Sequence, residues 1–140
     1  MVAPVNIRFN DSVDARLRRF ASRADQAKNS VVNTAVSEWL AMQAHPRVHF
    51  VQELTGERRA VLHDGPQVWV VAESWLAHEA GDRTAAVVAD ALGLSVVAVE
   101  AALGYWAENR EEIDSVIERH RAAQDEALAA WQRRQALLGA

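Results

Sequence analysis

Five histidines and nineteen acidic side chains would have to carry any acid–base or metal chemistry in this 140-residue chain, and their spacing argues against it. His45 and His49 stand four apart, the interval at which one helix aims two imidazoles at a metal, but Pro46 lies between them and breaks a helix there. His63 and His78 stand alone. There is no cysteine, so thiolate zinc sites and disulfides are excluded. No Ser/His/Asp order and no glycine-rich phosphate loop occurs, and Glu111, Glu112 and Asp114 read as a solvated helix face. The expectation is a non-enzyme with no metal and no cofactor. What remains is recognition chemistry: an amide and a guanidinium, Asn6 and Arg8, two residues apart near the N-terminus.

Residues 4–10 read Pro-Val-Asn-Ile-Arg-Phe-Asn. Val5, Ile7 and Phe9 alternate with Asn6, Arg8 and Asn10, the period of a strand with one apolar face. A lone strand leaves its backbone groups unpaired, so the alternation predicts a partner strand from a second copy, in a two-stranded antiparallel ribbon across a dimer axis. Asn6, Arg8 and Asn10 would then face outward, where amide and guanidinium groups suit purine edges in the major groove of DNA.

Two helices follow. Asp11 or Ser12 is the expected N-cap of the first, with Val13, Leu17, Phe20 and Ala21 as its apolar stripe and Arg16, Arg18, Arg19 and Arg23 around it. After the polar stretch 25–29, Ser30 is the expected cap of the second helix, whose free N–H groups at Ser30 and Val31 would suit a phosphate. Val32, Ala35, Val36, Trp39 and Leu40 form its expected buried face, and His45-Pro46 ends it.

This order of V-N-I-R-F, D-S-V-D-A-R-L-R-R-F-A-S-R-A and N-S-V-V-N-T-A-V-S-E-W-L resembles the ribbon-helix-helix (CopG/Arc-type) repressors and antitoxins. The resemblance implies base-facing ribbon positions at Asn6 and Arg8, with Pro4 standing where the family carries a polar residue. It also implies a phosphate held at the start of the second helix, around Ser30, Val31 and Val32.

Beyond residue 46, residues 48–53 and 58–62 flank Thr55-Gly56-Glu57, a hairpin with the glycine such turns need. A helix is predicted over 67–78, with Val68, Val71, Trp75 and Leu76 inward. Residues 83–92, Gly93-Leu94-Ser95 and 96–108 have helix-turn-helix spacing, with Ala89, Gly93 and Val99 at its small and apolar positions. The second of these helices offers Val96, Val97, Glu100 and Ala101 where a DNA reader carries polar or basic groups, so packing or dimerisation is its expected use. Residues 65–113, through D-G-P-Q-V-W-V-V, A-D-A-L-G-L-S and Y-W-A-E-N-R-E-E-I-D, resemble the DUF433-type helix-turn-helix domain. The two resemblances together imply a VapB-type antitoxin, whose partner is a PIN-like ribonuclease toxin.

A last helix is predicted over 114–138, with Val116, Ile117, His120, Ala123, Ala127, Leu128, Trp131, Ala136 and Leu137 in a broken apolar stripe. It begins acidic and ends on Arg133 and Arg134, which suits the helix dipole. Trp131 beside Arg133 and Arg134 is also an anchor-plus-charge arrangement of the kind found at interface hot spots. PIN-type ribonucleases hold metal with clustered carboxylates, which an arginine from an antitoxin tail can pair.

Charge is unevenly spread. The net charge is −4, yet residues 1–45 hold six basic and four acidic side chains, leaving nine basic and fifteen acidic beyond. A basic end and an acidic end suit a reader joined to something else. No apolar run approaches a membrane span and no secretion signal stands at the start, so a cytoplasmic protein is expected. The expected fold class is mainly α: a dimeric ribbon-helix-helix over 1–45, a small α+β domain of hairpin plus helix-turn-helix over 46–114, and a long C-terminal helix over 115–140. The expected function is a homodimeric antitoxin that represses its own operon through operator DNA and neutralises a toxin through Trp131, Arg133 and Arg134. The alternative is a stand-alone regulator whose C-terminal domain only oligomerises.

Overall fold

The computed structural model describes residues 2–140. Two compact units divide it, one ending at Ala41 and the other running Met42–Ala140.

In the first unit, residues 2–10 form neither strand nor helix. Helix α1 (Asp11–Arg23) is capped by Asn10, whose side chain accepts from the Val13 N–H at 2.9 Å. Acidic Asp11 and Asp14 in its first turn and Arg23 in its last complement the macrodipole. Asp25, at φ 50°, turns the chain toward α2 (Lys28–Ala44). The only pairing strands among the described residues, β1 (Val48–Gln52) and β2 (Arg58–Leu62), come after both helices. The expected ribbon-helix-helix start is therefore overturned: the fold is mainly helical with one small antiparallel sheet, and helices open it. The physical reason is that alternation specifies an extended segment with two unlike faces, whereas a strand also needs a neighbour, and residues 4–10 have none in their own chain. Val5 and Ile7 stand exposed.

Burial in this unit corrects the sequence reading too. Ala21 is its one buried apolar residue among those described, while Phe20, Val36, Trp39 and Leu40 are 43%, 48%, 57% and 55% exposed. The expected core tryptophan, Trp39, is not in a core of its own chain.

The second unit has a core. β1 and β2 pair with Val48 opposite Leu62 and Gln52 opposite Arg58, across a turn in which Gly56 takes φ +89°. Val48, Ala60 and Leu62 project from one face of that hairpin into the interior. There they join Val68, Val71 and Ala72 of α3 (Val68–Ala77), Val88 and Ala89 of α4 (Ala85–Leu92), and Ala98, Val99 and Ala102 of α5 (Val96–Glu108). Thr84 caps α4 and Ser95 caps α5, while Gly93 closes α4 in the left-handed region at φ 67°. No single helix is long and apolar enough to cross a membrane; α4 and α5 would suffice together but meet at 114°.

Helix α6 (Arg110–Leu138) is 29 residues long. Ile113, Val116 and Ile117 near its start are buried. From Arg121 to Leu138 its side chains are exposed except Ala129 and Ala130, which are half-buried.

Candidate nucleic-acid and partner interfaces

Of the five residues expected to face DNA, three have their hydrogen-bonding groups partly committed or displaced. The Asn10 side-chain Oδ1 is the α1 cap, accepting from the Val13 N–H. Ser30 caps nothing, because α2 begins at Lys28. The Val31 N–H already bonds the Ala27 carbonyl at 3.1 Å, so the free amides at this helix start belong to earlier residues. Asn6 and Arg8 are exposed and make no hydrogen bond among the described residues.

Asn6 and Arg8 share a concavity of about 630 Å³ with Phe9, Asp14, Lys28 and Asn29. The arms of this hollow carry both signs. Lys28 Nζ donates to Asp14 Oδ1 at 3.0 Å, and Arg18 Nε lies 2.9 Å from the other oxygen. The Lys28 bond and the two positive charges hold the Asp14 carboxyl below its ordinary range. Asp14 thus anchors Lys28 at the mouth of the hollow that Arg8 also lines. On α1 itself Arg16, Arg19 and Arg23 recur at three- and four-residue intervals around Phe20, exposed and without ion pairs among the described residues. They make a second basic strip.

In the second unit the tail residues Trp131, Arg133 and Arg134 lie on the exposed part of α6. Trp131 is 51% exposed. Arg133 reaches back to Glu126 at 3.1 Å, while Arg134 makes no such contact among the described residues. These residues are brought together by one helix and by nothing else.

Several polar contacts escaped the sequence reading. Tyr105 donates to Glu112 at 2.6 Å and Trp106 Nε1 to Asp114 at 2.7 Å, so two of the three carboxylates read as merely solvated position the start of α6 on α5. Arg119 donates to Glu57 at 2.6 Å, joining α6 to the hairpin turn; Arg59 donates to the same carboxylate at 2.9 Å. Those two guanidiniums, Arg119 first, hold the Glu57 carboxyl down at about 2. His49 and His63 stack with ring centres 4.5 Å apart. That pairing was readable from hairpin register, since residue 49 sits opposite 61 and residue 63 follows two later on the same face. His45 pairs instead with Glu108 at 2.7 Å.

Comparison with protein-family models, curated proteins and solved structures found no match to this chain.

Proposed function

We propose that this chain is a homodimeric DNA-binding regulator of the antitoxin kind, which binds operator DNA through its N-terminal unit and a ribonuclease toxin of the PIN-like class through its C-terminal helix. The observation that carries this reading is the character of the first unit. Among the described residues it buries only Ala21, leaves Phe20, Val36, Trp39 and Leu40 open, and ranges Arg8, Arg16, Arg19 and Arg23 unpaired over its surface. A unit this small cannot stabilise itself on so little buried area, and a second copy supplies the missing core. Doubling the unit also doubles its basic strip, and phosphate neutralisation by arginine supplies sequence-independent affinity for a duplex. Asn6 and Arg8, free of partners among the described residues, add the groups that read base edges. The toxin half of the reading is supported by Trp131, Arg133 and Arg134 on an exposed helix, an apolar anchor beside cations that suit carboxylates.

Trp39→Glu tests the first unit. A carboxylate at an already exposed position costs a monomer almost nothing, so unchanged mass by light scattering together with unchanged DNA retardation would refute the dimeric reader. The expected result is dissociation and loss of binding to the DNA upstream of its own gene. Co-purification with the product of the adjacent gene, with and without the largely exposed residues 121–140, tests the toxin half.

A further inference from the structure

Asp14 is an acid in a hollow that the regulator reading turns toward a polyanion, where a carboxylate ordinarily opposes binding. Its bonds give it another use. The Asp14 backbone N–H donates to the Asn10 carbonyl at 2.9 Å, so the carboxylate stands on the first turn of a capped helix. Both of its oxygens meet cations: Lys28 Nζ donates to one at 3.0 Å, and Arg18 Nε lies 2.9 Å from the other. Two positive charges on one carboxylate leave the trio net positive. No other bond holds the Lys28 ammonium among the described residues, and its side chain is 43% exposed. An ammonium has three protons; Asp14 takes one, and the rest remain for another acceptor. Asn6 and Arg8 line the same hollow.

We propose that Asp14 is a positioning residue for DNA: it holds the Lys28 ammonium ready for a backbone phosphate beside Asn6 and Arg8. The inference rests on the regulator reading and names how one of its phosphate contacts is set. Lys28 is the only lysine in the chain, against fourteen arginines. A lysine is a point charge on a flexible stem, and a free stem loses its rotamer freedom on meeting phosphate. Tied to Asp14, Lys28 has given up much of that freedom in the folded chain already, which is preorganisation. Phosphate has no need to displace the carboxylate, because the ammonium offers separate protons to each acceptor. The Lys28 bond, with the Arg18 charge added, holds the Asp14 carboxyl below its ordinary range, so the tie is intact throughout the neutral range.

The sign of one substitution in the full chain tests this. Removing an acid from a DNA-facing surface ordinarily tightens binding. Asp14→Asn is expected instead to weaken it, by roughly threefold to tenfold at about 0.1 M salt, and to lower the salt slope by about one unit per copy. The duplex upstream of the protein's own gene and an unrelated duplex of equal length should lose affinity alike in retardation assays, since a phosphate contact reads no sequence. Asp11→Asn is the control. Asp11 shares the first turn of α1, is exposed and makes no ion pair among the described residues, so this variant should bind as tightly as the parent or tighter. In a Lys28→Gln background, Asp14→Asn should cost no further affinity and no further slope, whereas a merely structural role, in which α1 and α2 loosen, would cost both again. An Asp14→Asn chain that binds as tightly as the parent, or keeps its slope, overturns the positioning role. So does an equal loss in Asp11→Asn, or a loss that persists without Lys28. Each of these outcomes leaves the regulator reading standing. A parent chain that retards neither duplex refutes that reading, and the positioning role with it.

Discussion

Glu57, in the turn of the hairpin, receives Arg119 of α6 at 2.6 Å from 62 positions away in the sequence. This contact holds the start of the long helix to the sheet, and Arg59 shares the same carboxylate. Because the folded carboxyl sits at about 2, below its usual 4.5, the contact adds stability that is complete above the unfolded value and is lost as pH falls from there toward 2. Glu57→Gln should therefore unfold at lower temperature than the parent at neutral pH, by no more than ~1 kcal/mol given the exposure of the pair. The two proteins should converge in melts near pH 2. Equal melting temperatures at neutral pH would show that the pair contributes nothing.

Leu62 is 1% exposed and faces the helices from β2. Leu62→Ala removes buried methyl groups at the meeting of hairpin and helices, where the transfer and cavity losses amount to roughly 2–5 kcal/mol. Urea unfolding followed by circular dichroism should show the midpoint shift with little change in slope. A loss well under the lower figure would mean that the site collapses around the alanine.

Gly93 ends α4 in the left-handed region, at φ 67°, and a Cβ there would meet nothing within 4 Å. Any cost of substitution is therefore backbone strain alone, about 1–2 kcal/mol for alanine. Asparagine, which tolerates that region, should cost less than alanine. Stabilities measured by urea unfolding should fall from the parent through Gly93→Asn to Gly93→Ala, and equal values for the two substitutions would refute this account.

Arg8 has no partner among the described residues, so its removal leaves folding untouched. On the proposed reading, Arg8→Ala weakens operator binding by roughly 1–3 kcal/mol and narrows the gap between operator and unrelated DNA. Arg19→Ala on the basic strip should instead weaken both equally and lower the salt dependence by about one unit of slope. Retardation assays across a salt series separate the two, and identical behaviour would remove any base-reading role from Arg8.

Local chemistry was readable where the signal was local. Gly56 marked the hairpin turn, Ser95 and Gly93 marked helix ends, and the 3.6-residue period in residues 67–78 and 96–108 gave helices close to those observed. Cap positions at α1 and α2 were less legible, because Asn10, Asp11 and Ser12 all suit a cap, and Lys28 begins α2 with no capping side chain to announce it. The candidate site was legible only in part. Asn6 and Arg8 are free among the described residues, but Ser30 lies within a helix and Val31 has spent its amide, which depends on where that helix starts.

Sequence by itself therefore determined the helical segments, the turn glycine, the absence of thiol chemistry and the division of charge between the two ends, since each is a property of neighbours in the chain. Only the tertiary structure decided that residues 4–10 pair with no strand, that Trp39 lies open while Trp106 is buried, and that Glu57 meets Arg119. Pattern specifies which face of a segment is apolar; what covers that face depends on contacts between residues far apart in the chain.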